Sequence, residues 1–245
     1  MTKERGAMPF DAIIVSHGQP SDPEVGEAEI AALAASVGAL LPDARVEGVT
    51  LAARGKIEAL SAERPGALIY PMFMADGWFT QVQLPRRLAP DVGPQLVTFG
   101  MDCTLPMLAA RWLRDIAKDH GLDPSDIDLV IAGHGSGKSK RVSAATYTFA
   151  DQLAAEFAPK SCRCGFVEEA PSLEEALTGL GQQSICLPYF AAKRGHVLDD
   201  LPQAVAATGY KGIVLDPIGL NPDVPAMIAD ALRWRATTSD VSVCV

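Results

Sequence analysis

The chain repeats itself. Ala12–Gln19 reads AIIVSHGQ and Leu129–Ser136 reads LVIAGHGS, two short apolar runs that each end in a His-Gly pair. His17 and His134 lie 117 residues apart, and the same offset carries Pro42 to Pro159, Gly48 to Gly165 and Glu58-Ala59-Leu60 to Glu175-Ala176-Leu177. It also carries Pro71 to Pro188, Phe73 to Phe190 and Leu84-Pro85 to Leu201-Pro202, with no gap needed. A two-fold repeat of this length implies two similar lobes of ~120 residues, each large enough for its own core. We therefore expect an N-terminal lobe over residues 1–121 and a C-terminal lobe over 122–245, joined by the turn-rich Asp123-Pro124-Ser125-Asp126.

Within each lobe, strand-like and helix-like patterns alternate. The first lobe reads as strand Ala12–Val15, helix Val25–Leu41, strand Val46–Leu51, helix Gly55–Glu63 and strand Ala67–Phe73. A helix near Val82–Leu88, a strand Leu96–Phe99 and a helix Leu105–His120 follow, with Gly121 as the stop. The second lobe reads as strand Leu129–Ala132, helix Val142–Phe157, strand Cys162–Val167, helix Leu173–Leu180 and strand Ser184–Phe190. A helix around Leu198–Ala207, a strand Gly212–Leu215 and a helix Val224–Arg235 finish it, the last part at an offset of 119 (Gly100 to Gly219, Pro106 to Pro225). Strands separated by single helices imply an α/β fold with parallel sheets and helices on both faces. Open sheets of that kind bind ligands at the carboxyl ends of their strands, where both His-Gly pairs fall.

Composition excludes several classes. No apolar run reaches the ~18 residues of a membrane helix, and MTKERGAMPFD has no apolar core of a secretory signal, so it reads as a frayed tail. A net charge of −9 argues against a nucleic-acid surface. The five cysteines have no framework spacing and read as free thiols in a reducing cytoplasm, with Cys162 and Cys164 on one side of a strand as buried structural thiols.

Because the chain repeats, one lobe is a control for the other. The second lobe carries Glu168 where the constant offset gives Leu51, and His196 where it gives Phe79; only the histidine after the first strand is shared. His134, Glu168 and His196 thus stand at the ends of three successive strands, separated by spacings too long for a local metal motif. Two imidazoles and a carboxylate suit a divalent ion such as Co2+, Fe2+, Ni2+ or Zn2+, and also suit proton transfer near neutral pH. His17, whose partners are apolar, reads as structural. Lys138, Lys140, Arg141, Lys193 and Arg194 cluster beside the second-lobe site, and the equivalent first-lobe loops carry Asp22, Glu24 and Asp76 instead. Positive potential concentrated in a cleft favours a polyanionic ligand. Gly133–Ser139 (GHGSGKS) falls one residue short of the glycine spacing of a phosphate loop, so no nucleotide site is expected.

At these residues the chain resembles the sirohydrochlorin chelatases, the class II chelatases of tetrapyrrole synthesis. The resemblance is carried by HGS after a first strand, by GFVEEAPSLEEAL around Glu168 and by LPYFAAKRGHVLDDLP around His196. It covers nearly the whole chain, the first lobe being a degenerate copy. It implies two Rossmann-like lobes and a lyase that inserts a divalent metal, Co2+ being expected and Fe2+ or Ni2+ possible, into an anionic sirohydrochlorin-type macrocycle without ATP, in cobalamin or siroheme synthesis. By resemblance, His134 is the main metal ligand and proton acceptor, His196 the second imidazole ligand, and Glu168 holds the metal or moves protons. Ser136, Lys138, Lys140, Arg141, Lys193 and Arg194 are the expected substrate-binding residues. Gly137-Lys138 stands where the family usually has an arginine, and the tail Thr237–Val245 does not resemble the His-rich or cluster-binding tails of some long relatives, so no iron–sulfur cluster is expected. The duplication predicts a monomer that needs no membrane or nucleic-acid partner. Two other readings use the same residues: a metal or tetrapyrrole carrier without turnover, and a ferrochelatase-like enzyme acting on another macrocycle.

Overall fold

The computed structural model of the chain describes residues 9–137 and 140–238, the side chain of Lys140 excepted. The chain groups into two compact units. Among the described residues, the first takes the chain through Phe73, then Gly77–Phe99 and residues 223–238; the second takes Met74–Asp76 and Gly100–Pro222.

The first unit is built on a parallel three-stranded sheet. Its strands are β1 (Phe10–Ser16), β2 (Ala44–Thr50) and β3 (Leu68–Pro71), in the order β2-β1-β3. Its helices include α1 (Pro23–Ala39), α2 (Lys56–Ala62), α3 (Leu84–Arg87) and α9 (Val224–Thr237), the last numbered by its place in the chain. The central strand β1 is buried on both faces. Ile13 and Val15 pack with Ile57 and Leu84 on one side, and Ala12 and Ile14, which alternation turns to the other side, are buried as well. Fully burying each such aliphatic side chain contributes roughly 1.5–3 kcal/mol, which explains why this run reads as continuously apolar.

The second unit repeats the plan. Strands β4 (Asp128–Gly133), β5 (Ser161–Phe166), β6 (Ser184–Pro188) and β7 (Ile213–Val214) form a parallel sheet in the order β5-β4-β6-β7. Helices α4 (Leu105–Asp119), α5 (Lys140–Phe157), α6 (Leu173–Leu177), α7 (Gly195–Leu198) and α8 (Asp200–Thr208) accompany it. Val130 and Ala132 of β4 pack against Leu173, Leu201 and Ala204, while Leu129 and Ile131 are buried on the opposite face. The chain runs from β4 outward to β5 and then crosses to the other side of β4 as β6. That reversal makes the crevice above β4 and β6 the place where such sheets receive ligands.

Three expectations from sequence need correction. The last helix of each half does not stay with its own repeat: α4 belongs to the second unit, where it packs on α5, and α9 to the first, where it packs on α1 and β3. An amphipathic helix can bury its apolar face on any compatible surface, so its place in the sequence does not name its partner. The segment Leu96–Phe99 is not a strand. Its pairing shrinks to a bridge between Ile69 and Gln95, followed by a tight helical turn at Phe99–Met101. The helices expected over Leu173–Leu180 and Leu198–Ala207 are redrawn: α6 stops at Leu177, with Thr178 extended and Gly179 at φ +78°, and the second region is split at Asp199 into α7 and α8.

The repeat also contains a slip that the sequence conceals. β1 and β3 keep the offset of 117, since Val15 pairs with Pro71 and Ala132 with Pro188. β2 and β5 do not, since Ile14 pairs with Gly48 whereas Gly165 pairs with Ala132, one residue further on. The two glycines consequently face opposite sides. A Cβ on Gly48 would strike the Ile30 carbonyl of α1, and one on Gly165 would strike Ala176 of α6. A one-residue shift in a strand exchanges its two faces, so the Gly48–Gly165 identity is coincidental and the repeat is not gap-free.

Candidate metal centre

Each candidate side chain is delivered by the connection that follows a strand. His134 directly follows β4. Gly135 after it adopts φ +70°, and a Cβ there would lie 2.9 Å from Phe166 Cβ and Glu169 Cγ, so this turn requires glycine. His134 Nδ1 lies 2.9 Å from the Gly135 carbonyl oxygen. A carbonyl can only accept, so Nδ1 donates and the Nε2 lone pair is left available.

Glu168 sits at the crest of a short excursion after β5. The Phe166 amide donates to the Pro171 carbonyl (2.9 Å) and Phe166 bridges to Ser172, so the chain leaves the sheet and returns within five residues. The return is fixed by a reciprocal cap on α6: Glu175 N–H donates to Ser172 Oγ (3.1 Å) and Ser172 N–H to Glu175 Oε2 (2.6 Å). The excursion is tied to the first histidine, because Glu168 N–H donates to the His134 carbonyl (3.0 Å). Glu168 Oε2 comes within 3.8 Å of His134 Nδ1.

His196 lies on α7, in the connection that follows β6. Its ring meets that of His134 edge to face, with centroids 4.5 Å apart and planes at 86°. Its Nδ1 lies 2.7 Å from Asp200 Oδ2, four residues further on at the start of α8. The carboxylate accepts, so His196, like His134, keeps Nε2 free to bind.

Ligand atoms of His134, Glu168 and His196 all lie within 4.8 Å of one another, the sole such group of three among the described residues. The side chains are 42%, 49% and 37% exposed, open enough to meet a large ligand. Two imidazoles and one carboxylate match the ligand preferences of first-row divalent metals.

The first unit holds the same frame without the chemistry. His17 Nδ1 lies 2.6 Å from the Gly18 carbonyl, and the Phe79 ring stands edge to face with His17 at 4.2 Å, where His196 stands in the second unit. Phe73 and Phe190 flank the two positions alike, at 6.5 and 6.4 Å. Ala52 N–H donates to the His17 carbonyl, which makes Ala52 the counterpart of Glu168. Leu51, the counterpart expected from the constant offset, is packed in the core as Val167 is, one residue earlier. Neither residue offers a ligand.

The expected substrate-binding residues divide. Lys138 lies outside the described residues, as does the side chain of Lys140, whose backbone begins α5. Arg141 is exposed in the first turn of α5, Ser136 is half-buried two residues after His134, and Arg194 directly precedes α7. Lys193 forms an ion pair with Asp216 at 2.7 Å, which offsets part of its charge. Asp200 is a residue that spacing and residue type alone do not mark. The repeat held a signal for it, since position 83, its counterpart, is Gln beside Phe79.

The family model CbiX matches residues 128–234, the stretch that holds all three candidate ligands. The structure of CbiX, the terminal enzyme for biosynthesis of siroheme in denitrifying bacteria, is 43% identical over 94% of this chain and 100% of its own, with a TM-score of 0.83. SirB from Bacillus subtilis, solved with Fe3+, is 19% identical over 96% of this chain and 100% of its own, with a TM-score of 0.74. The sirohydrochlorin chelatase SirB from Bacillus subtilis subspecies spizizenii, solved with cobalt, is 16% identical over 94% and 96%, with a TM-score of 0.67. At those identities the SirB structures speak for the fold alone. No curated protein matches the chain. With 43% identity sustained over nearly its whole length, the chain belongs to the CbiX family, the sirohydrochlorin-chelatase family that its sequence resembles.

Proposed function

We propose that this protein inserts a divalent first-row metal into a sirohydrochlorin-type tetrapyrrole without ATP, at the second-unit site formed by His134, Glu168 and His196. The observation that carries the proposal is the convergence of these three ligand groups within 4.8 Å at the ends of adjacent parallel strands. Insertion must remove two pyrrole N–H protons as the metal enters, so the site needs basic atoms beside the ion. The two imidazole Nε2 atoms and the Glu168 carboxylate hold the metal first, and as it passes to the ring nitrogens the lone pairs so released accept the two pyrrole protons. Exchange of ligands from protein to macrocycle is driven by the four nitrogens of the ring, so no nucleotide is needed. Ser136, Arg141 and Arg194 are proposed to receive peripheral carboxylates, Arg through charge-assisted hydrogen bonds. Lys138, Lys140 and Lys193 are proposed to add to the positive field.

For the metal, the relative at 43% identity favours Fe2+, because siroheme is an iron tetrapyrrole. Co2+, expected from sequence, is the second reading, and it rests on a ligand set that accepts either ion. The test is to follow anaerobically the absorbance change as Fe2+ or Co2+ enters sirohydrochlorin, with a less carboxylated porphyrin as competitor. Acceleration with sirohydrochlorin preferred supports the proposal. Metal binding without acceleration makes the protein a carrier, and preference for the porphyrin makes it a ferrochelatase-like enzyme.

A further inference from the structure

We propose that Asp200 is a positioning residue for the metal centre, acting through His196 by fixing which ring nitrogen faces the ion. The inference rests on the function proposed above and extends it to a residue outside the ligand set.

Three observations lead to it. The first is geometric: Asp200 Oδ2 lies 2.7 Å from His196 Nδ1, a short contact of the charge-assisted kind. The second is the direction of the proton. A carboxylate accepts, so the hydrogen of neutral His196 resides on Nδ1, and the Nε2 lone pair points away from Asp200. Without that acceptor the ring can take either tautomer and can turn about its Cβ–Cγ bond. The contact with the His134 ring is edge to face and would not by itself select a nitrogen. Outer carboxylates that orient histidine ligands in this way typically change metal affinity by 10–100-fold.

The third observation comes from the repeat. Phe79 occupies the place of His196 in the first unit, where the neighbouring flank of Phe73 and the edge-to-face contact with the first-strand histidine are retained. Four residues further on stands Gln83 instead of Asp200, followed in both units by Leu-Pro. Leu84 and Leu201 are both buried in the cores of their units, while the backbone before them runs as one helical stretch in the first unit and is broken at Asp199 in the second. The carboxylate is thus present where the ring can ligate and absent where it cannot.

A structural role is the competing explanation. Asp200 opens α8, and an acid in the first turn favours the helix dipole. That role would act on stability and would leave the metal untouched. The side chain is 44% exposed, so its removal opens no buried void.

The experiment is a titration of the apoprotein with Co2+, read both by calorimetry and by the visible d–d absorption of the bound ion, for the unmodified protein, Asp200→Ala and Asp200→Asn. Thermal melting of each apoprotein is recorded beside it. The expected result is a 10–100-fold weaker Kd for Asp200→Ala with an altered absorption envelope, and a smaller loss for Asp200→Asn, whose amide oxygen still accepts from Nδ1. Melting temperatures stay close together or shift equally in the two variants, since both lose the charge. If the unmodified protein binds Co2+ and both variants match it in affinity and spectrum, the inference is overturned while the proposed function stands. Weaker binding that follows only the loss of melting temperature also overturns it. If the unmodified protein binds no Co2+ and catalyses no insertion, the proposed function fails and this inference fails with it.

Discussion

His17 and Phe79 stand edge to face at 4.2 Å with their planes at 82°, nearly the pose of His134 and His196 at 4.5 Å and 86°. The first unit thus preserves the scaffold of a two-histidine site while holding a single imidazole. On the proposed function, a ring that packs on a phenyl group and bonds its own loop is expected to contribute to stability and not to metal binding. His17→Ala should lower stability by about 0.5–1.5 kcal/mol, the size of such an aromatic pair beyond its buried area. Chelation rate should stay within about two-fold of the unmodified protein. Denaturant melts and the insertion assay check the two halves of this prediction.

His134→Ala and His196→Ala should each reduce insertion by ~100-fold or more, the scale of losing a positioned base that also binds the ion. Glu168→Gln keeps the shape of the side chain and removes its charge. It should fall between these variants and the unmodified protein in rate. Stability should change little in all three, because the side chains are 37–49% exposed. Equal activity of His134→Ala and the unmodified protein would remove the second-unit site from the reaction.

Gly135→Ala should couple stability to the site. At φ +70° a side chain is strained, and its Cβ would approach Phe166 Cβ and Glu169 Cγ to 2.9 Å. A cost of about 1–3 kcal/mol is expected from the backbone alone. The carbonyl that orients His134 belongs to this residue, so Co2+ affinity should fall as well. Gly55, also at positive φ (+76°) but with open space around it, is the comparison: Gly55→Ala should cost stability and leave Co2+ affinity unchanged.

The thiols of β5 and β6 should be silent near neutrality. Burial pushes Cys162 up to about 11 and Cys164 and Cys186 up to about 12, from an ordinary value of 9.0. A raised thiol favours folding below pH 9, and that contribution is lost as pH rises through 9 toward 11–12, where the unfolded chain ionises first. The expected outcomes are no labelling of these three cysteines by a thiol reagent at pH 8 without denaturant, and a falling melting temperature above pH 9. Mass spectrometry of the labelled peptides distinguishes them from the other cysteines.

Much of the architecture was legible because its signals are local. The apolar runs of β1 and β4 end in His-Gly, a strand buried on both faces needs a continuous run, and the turn that follows needs glycine. The divergence of Phe79 and His196 between repeats marked the chemically distinct half in the same way. Other features escaped because they depend on pairing. Gly48 and Gly165 match in sequence yet face opposite sides of their sheets, since register is set by hydrogen bonding between strands and not by spacing along one of them. A constant offset therefore sets Glu168 against Leu51, whereas its backbone counterpart is Ala52.

Sequence alone determined the alternation of strand and helix, the duplication, and the three residue types able to hold a divalent ion. Tertiary structure decided which helices each sheet keeps, exchanging the roles expected for α4 and α9, because an apolar helix face specifies burial and not a partner. It also decided that His134, Glu168 and His196, separated by 34 and 28 residues in the chain, meet within 4.8 Å, and that Asp200 stands behind one of them. Adjacent parallel strands bring their carboxyl ends together whatever the length of chain between them, so the distance that matters for chemistry exists only once the sheet has formed.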